Sequence, residues 1–182
     1  MVGFWEDAPA GVRRGFLWRQ GQVPMSLSPP SGYSVAEGHD VSEDGTLVVG
    51  VVSIDFSSAR ACVWKHGQPF LLTTYLAARG VAIPVGTQLL VARGVSANGR
   101  VIVGLGFVPG FSGGSFRAEV PCYADCDGST STPATNVNDF ICFLNKFAAG
   151  DSYANCDGST TPPVLNVSDF VCFQNSFAAG CT

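Results

Sequence analysis

Hydrophobic and polar positions follow two different rhythms along this chain. Through the first 120 residues, short valine-rich runs alternate with Asp-Gly and Asn-Gly turns. Val41-Ser42-Glu43-Asp44-Gly45-Thr46-Leu47-Val48-Val49-Gly50 is one such unit and Val95-Ser96-Ala97-Asn98-Gly99-Arg100-Val101-Ile102-Val103-Gly104 another. The runs read as strands ending at Gly50 and Gly104, joined through hairpin turns. Further on, Phe140, Phe143, Leu144 and Phe147 recur at i, i+3, i+4 and i+7, and Phe170, Phe173 and Phe177 repeat the pattern. Each set predicts a helix with one apolar stripe, and two such stripes bury each other. Asn136 and Asn166 are N-cap residues with Asp139 and Asp169 three positions on, and Gly150 and Gly180 are natural stops. A mainly-β first part of antiparallel strands and a small α second part are expected.

Both parts are internally repeated. In the first, Arg14-Gly15-Phe16-Leu17-Trp18-Arg19-Gln20-Gly21 matches Arg60-Ala61-Cys62-Val63-Trp64-Lys65-His66-Gly67, with Ser115-Phe116-Arg117 as the remnant of a third copy. The offsets of 46 and 54 residues are those of propeller blades or arrays, so partial propeller-like blades are predicted. Trp18 and Trp64 occupy equivalent positions and are expected in the core or at a blade edge. His39 and His66 have no counterpart and are expected on the surface. In the second part a shift of 30 residues aligns Asp125-Cys126-Asp127-Gly128-Ser129-Thr130 with Asn155-Cys156-Asp157-Gly158-Ser159-Thr160, and the match runs on to Phe147-Ala148-Ala149-Gly150 against Phe177-Ala178-Ala179-Gly180. That is a tandem duplication of an oxygen-rich loop and a helix.

Charge divides the chain at the same place. Split near Val120-Pro121, the first part has nine basic and eight acidic side chains, and the second has Lys146 against six aspartates. The net charge of −4 is therefore +1 upstream and −5 downstream. An acidic tail, and an upstream part without a basic stripe, argue against a nucleic-acid partner and for cations. No apolar run reaches membrane-spanning length; the best, Leu47 to Ile54, contains Gly50 and Ser53. The first residues show no signal peptide, although seven cysteines, six of them in the tail, suit an oxidising compartment. There is no phosphate loop, dinucleotide fingerprint or paired acid–base set, and Gly110 to Ser115 is a loop rather than a nucleophile elbow. A catalytic role is not expected.

The tail loops carry the candidate chemistry. Asp-x-Asp-Gly-Ser followed by Asn-x-x-Asp gathers hard oxygen donors on a turn-rich segment, the ligand type Ca²⁺ takes and Zn²⁺ does not favour. The rival reading is plain turn and capping chemistry without a metal.

On these residues the tail, 122–181, resembles a dockerin domain, a pair of EF-hand-like calcium loop–helix units that docks onto a cohesin module. The likeness is strongest to the planctomycete variant ending in Gly-Cys. It implies two Ca²⁺ sites. Asp125 and Asn155 would be the first ligands, Asp127 and Asp157 the third, Ser129 and Ser159 the fifth, Asn136 and Asn166 the ninth, and Asp139 and Asp169 the closing carboxylates. Here the loops span fifteen residues, against about twelve in the usual EF-hand loop, with no glycine at the sixth position. Three carboxylates in the first site against two in the second imply tighter calcium at the first. The upstream phrases Val-Ser-x-Asp-Gly-x-x-Val-Val-Gly and Ala-Phe-x-Trp resemble the HAF repeat of bacterial extracellular proteins over residues 2–118. Domains are accordingly placed at 1–118 and 119–182. Under that resemblance Met1-Val2-Gly3 falls inside a repeat, so an export signal is expected upstream.

Cys126 and Cys142 recur as Cys156 and Cys172 at the same spacing, so a bridge within each unit is expected, with Cys122 and Cys181 clasping the ends. A zinc site and reduced thiols are the alternatives, although the tail has no Cys-x-x-Cys pair and no histidine. Cys62 is left over, in the core. The expected function is that of a non-catalytic secreted or cell-surface protein, anchored through the tail to a cohesin-like partner. Asn138, Asn145, Lys146, Ser168, Gln174, Asn175 and Ser176, on exposed helix positions, are the partner-binding candidates. The alternatives are a structural cap on a longer β-repeat array and a fragment of a polysaccharide-degrading enzyme whose catalytic part lies elsewhere.

Overall fold

The computed structural model describes residues 1–7, 12–55, 58–110, 113–129 and 133–181. Two compact units divide it, Met1–Val120 and Pro121–Thr182.

The first unit is three antiparallel sheets. The first sheet is β1 (Val2–Asp7), β2 (Val12–Leu17) and β3 (Met25–Leu27), in that order. The second is β4 (Val35–Val41), β5 (Leu47–Ser53), β6 (Arg60–Lys65) and β7 (Gln68–Leu71). The third is β8 (Gln88–Val95), β9 (Val101–Phe107) and β10 (Gly114–Glu119). Register makes the repeat physical: Gly3 pairs with Phe16, Gly50 with Cys62 and Gly104 with Phe116, each at the same place in its hairpin. By that alignment β1, β5 and β9 are equivalent, as are β2, β6 and β10. The four-stranded second sheet is the whole unit, and the described residues form no closed propeller.

The repeated phrase before β5 and β9 is a turn. Ser42 Oγ donates to Asp44 Oδ1, the Thr46 N–H donates to the same oxygen, and the Leu47 N–H donates to Ser42 Oγ. Ser96, Asn98, Arg100 and Val101 repeat these three bonds. Gly45 and Gly99 take positive φ, which a glycine at that turn position allows without strain. Burial alone would raise the Asp44 pKa, but the hydrogen bonds from Ser42 and Thr46 and the charge of Lys65 outweigh it and hold it at about 2.

The strands do not end at Gly50 and Gly104, as their valine runs suggest, but continue three residues beyond each. Glycine is there for room. A Cβ on Gly50 would lie 1.9 Å from the Glu37 carbonyl oxygen, and one on Gly104 would lie 2.0 Å from that of Val91. The facing strands β4 and β8 are bulged near these points, which brings backbone against backbone. A short helix absent from the sequence expectation, α1 (Leu72–Ala77), follows β7 and buries Leu72, Tyr75 and Leu76.

The second sheet is buried on both faces. Val48, Val52, Cys62 and Trp64 pack with Leu17 and Leu27 of the first sheet, while Leu47, Val49, Ala61 and Val63 pack with Leu89, Ala92 and Ile102 of the third. Trp64 is in the core, as expected, and its indole N–H donates to the Ser28 carbonyl at 2.7 Å. Trp18 is half-buried. Cys62 is buried and outside any bridge, and burial pushes its thiol up to about 12, an unreactive state. His66 is exposed. His39 corrects the expectation: its side chain is 14% exposed, and its Nδ1–H donates to the Ala92 carbonyl at 2.8 Å, tying β4 to β8.

The second unit is two helices, α2 (Val137–Ala149) and α3 (Val167–Ala179), each capped by its asparagine in a complete capping box and ended by its glycine. Phe143 and Phe173 stack at 4.0 Å between centroids, and Phe140, Phe147, Phe170 and Phe177 surround them. Leu144 departs from the predicted stripe. It is 39% exposed, because the facing helix reaches only the Phe140, Phe143 and Phe147 side. Three disulfides close the unit, Cys126–Cys142, Cys156–Cys172 and Cys122–Cys181. With all six tail sulfurs paired, the zinc and thiol alternatives have no cysteine left. No described helix is long and apolar enough to cross a membrane.

Candidate metal centre

Each helix start is tied back to its own loop by the aspartate at the third helical position. Asp139 is fully buried. Its Oδ2 accepts from the Asn136 N–H at 2.8 Å and its Oδ1 from the Asp127 N–H at 3.1 Å. Asp169 does the same with Asn166 at 2.9 Å and Asp157 at 3.2 Å. A buried carboxylate needs compensation, and two backbone donors supply part of it. The disulfides add a covalent tie at the same place, since Cys126 and Cys156 sit between the first two acidic or amide positions of each loop and reach the second turn of the helix.

Asp125, Asp127 and Asp139 each bring one carboxylate oxygen within 4.8 Å of the others, a group that could hold a metal ion. The electrostatics are those of crowded like charges. Burial, then the charges of Asp139 and Asp127, raise the Asp125 carboxyl. Asp127 and Asp157 are lowered, mainly by the Ser129 and Ser159 backbone N–H groups at 2.8 Å. One atom in each loop stands out. Asp125 Oδ1 and Asn155 Oδ1 are buried with no hydrogen-bond partner, and they sit at equivalent positions of the duplication. An orphaned buried oxygen is costly, and here it recurs at the same position of both loops, where a hard cation could satisfy it.

The other expected ligands are engaged within their own loops. Asn136 Oδ1 and Asn166 Oδ1 accept the Asn138 and Ser168 N–H groups as helix caps, and Asn166 Nδ2 also donates to the Pro163 carbonyl. Ser159 Oγ donates to the Val164 carbonyl, and Asn155 Nδ2 to the Ser159 carbonyl. Ser129 is half-buried beside Asp127. The structure thus brings positions one, three and the closing carboxylate together in the first loop, and leaves the asparagines on the helix ends.

Of the expected partner-binding residues, Asn138, Asn145, Ser168, Gln174 and Asn175 are exposed. Lys146 instead pairs with Asp151 at 3.6 Å and lies 4.9 Å from the Tyr153 ring centroid, and Ser176 Oγ donates to the Cys172 carbonyl. The exposed face also carries Val137, Ile141 and Leu144 on α2 and Val167 and Val171 on α3, which polarity alone did not suggest. Tyr123 and Tyr153 were likewise missed. Their rings stack at 4.8 Å, and each hydroxyl donates to the other's backbone carbonyl. Extending the 30-residue shift two positions upstream, Tyr123-Ala124 onto Tyr153-Ala154, would have found them.

None of the protein-family models, curated proteins or solved structures compared with this chain matches it.

Proposed function

We propose that the tail is a calcium-binding, dockerin-type docking module, and that the protein is a non-catalytic secreted or cell-surface component anchored by it to a cohesin-like partner. The observation that carries the reading is the pair of buried, unpartnered oxygens Asp125 Oδ1 and Asn155 Oδ1 at equivalent positions of the two loops, the first of them in a group with the Asp127 and Asp139 carboxylates. Asp125, Asp127 and Asp139 would hold one ion, and Asn155, Asp157 and Asp169 the other. Calcium supplies charge to these loops and so couples binding to folding of the unit. The chain's own residues do the rest: Asp139 and Asp169 fix loop to helix, and the bridges keep the loops near that geometry. Three disulfides fit an oxidising compartment.

Docking would use the exposed helix faces, an apolar stripe of Val137, Ile141 and Leu144 flanked by Asn138 and Asn145, with Val167 and Val171 flanked by Ser168 and Asn175. The near-repetition of these faces permits docking in either orientation. The test is calcium titration of the chain followed by pull-down with a cohesin-like module. Calcium-dependent capture lost in Ile141→Asp supports the reading, and absence of any calcium response removes it. Calcium binding without capture would favour the second reading, a structural cap, which the clasp Cys122–Cys181 around the unit favours.

A further inference from the structure

The contact between the first and second sheets and that between the second and third are built on equivalent residues. Leu17 packs with Val48 and Trp64 in one, and Val63 with Ile102 and Ala118 in the other. The hairpin ends correspond as well: the His66 N–H donates to the Thr46 carbonyl at 2.8 Å, and the Val120 N–H to the Arg100 carbonyl at 2.7 Å. What fills the two contacts differs. β7 leads into α1, whose Leu72, Tyr75 and Leu76 are buried in one cluster with Val63, Ile102 and Val120. β3 leads into β4 through residues 28–34, which hold no helix.

At the contact without a helix there is a cavity of about 250 Å³. Its apolar wall is Leu17, Met25, Val48 and Trp64, and its whole lining comes from residues 17–67, inside the chain. Two exposed polar side chains border it, Arg19 and His66. Arg19 donates to the Gly45 carbonyl at 2.7 Å and has no carboxylate partner among the described residues. Burial and the charges of Lys65 and Arg19 hold the His66 ring below its usual value, so it is a neutral donor near pH 7. Asp44, whose charge also reaches His66, has its oxygens engaged by Ser42 and Thr46.

The second contact shows what body such a gap accepts. There Arg79 lies 3.5 Å from the centroid of the Tyr75 ring, and its charge reaches Lys65, the counterpart of Arg19. A phenol ring is thus part of the filling, beside the equivalent cation. The cavity is smaller than the roughly 300–1,000 Å³ of drug-sized sites, which suits one ring with a short arm. A guanidinium without a carboxylate, next to a neutral ring donor, calls for a single anionic group at the end of that arm. We propose that this cavity binds a small aromatic carboxylate, its ring against Leu17, Met25, Val48 and Trp64 and its carboxylate on Arg19 and His66.

Calorimetric titration of the full chain with 4-hydroxyphenylacetate tests this. One saturable site is expected, and 4-hydroxyphenylacetamide, which keeps the ring and loses the charge, should bind at least ~10-fold more weakly. Arg19→Gln should bring the acid down to the level of the amide and leave the amide unchanged, a split that a merely structural role for Arg19 would not produce. Met25→Phe enlarges a wall residue from an exposed strand position and should abolish binding of both compounds, with tryptophan fluorescence reporting that the unit is folded. The absence of saturable binding below about 10 mM, the weakest affinity expected of so small a ligand, overturns the proposal. So does equal affinity for acid and amide, or binding indifferent to either variant in its folded state.

Discussion

The two units are both products of duplication, yet they hold their copies together by opposite means. In the first, the repeats are joined by shape: aliphatic layers on both faces of one sheet, and glycines where strands approach too closely for a side chain. Its cysteine, Cys62, is simply another buried apolar residue. In the second, a core whose fully buried side chains are few, Phe143, Ala154 and Phe173, is supplemented by three covalent bridges and by carboxylates buried at the helix starts. A unit of this size buries a smaller share of its surface than a larger domain does, so packing alone leaves it marginal. Cross-links are what small units add, and the cysteine content of the tail follows from that need.

Reduction should break the comparison most sharply. With a chelator present, reducing the three bridges removes about 2–4 kcal/mol each, more than so small a core can replace. Hydrogen exchange is expected to show residues 121–182 losing protection while the sheets keep theirs. Equal loss in both units would mean that the first also depends on the bridges. All three tryptophans lie in the first unit, so their fluorescence gives an independent readout of it.

Gly50→Ala should do the converse. A methyl group 1.9 Å from the Glu37 carbonyl oxygen meets backbone, which cannot swing aside. The expected loss is about 3 kcal/mol in the first unit, read by urea unfolding with tryptophan fluorescence, with the tail's calcium response unchanged. Gly114→Ala, where a Cβ meets nothing within 4 Å, is the control and should be close to neutral.

These contrasts also explain what could be read from the chain alone. The tail duplication is nearly residue for residue, so caps, stops, cysteine pairing and the aspartates of the capping boxes were all legible as local chemistry recurring at one offset. The Ser-x-Asp-Gly and Ser-x-Asn-Gly turns were legible for the same reason. Other features depend on what lies across the fold. Gly50 and Gly104 mark close approach by a bulged neighbour rather than strand ends, and no local pattern distinguishes the two. Leu144 obeys the helical period but faces away, because the partner helix covers a narrower strip than the apolar residues span. His39 is drawn inward by a carbonyl on a strand 53 residues away. The short helix at Leu72 has i, i+3, i+4 apolar spacing over six residues, too brief to separate from a strand end.

Within the tail, the two loops offer a finer comparison. They differ at the first acidic or amide position, Asp125 against Asn155, and share the rest of the pattern. Two distinguishable calcium affinities are expected, and Asp125→Asn should weaken the tighter one about tenfold, toward the other. Calorimetric titration of the oxidised chain decides this. A single affinity before and after the change would show that charge at this position does not set the strength.

The smallest expected effect tests whether the turns of the first unit are as interchangeable as their hydrogen bonds. Asn98 performs in one repeat what Asp44 performs in the other, so Asp44→Asn should keep the turn and lose only what the charge adds. That addition has a definite pH signature. The Asp44 pKa is lowered from 3.8 to about 2 in the folded protein, so its ionised form stabilises the fold above 3.8, and the contribution disappears as pH falls through about 2. The variant should be less stable than the parent by at most about 0.5 kcal/mol near neutrality. The two should converge in acid. Acid titration followed by tryptophan fluorescence reads the difference directly, since the turn joins β4 to β5 beside Trp64. A gap that persists below pH 2 would assign the effect to turn geometry, and the two repeats would then differ in more than charge.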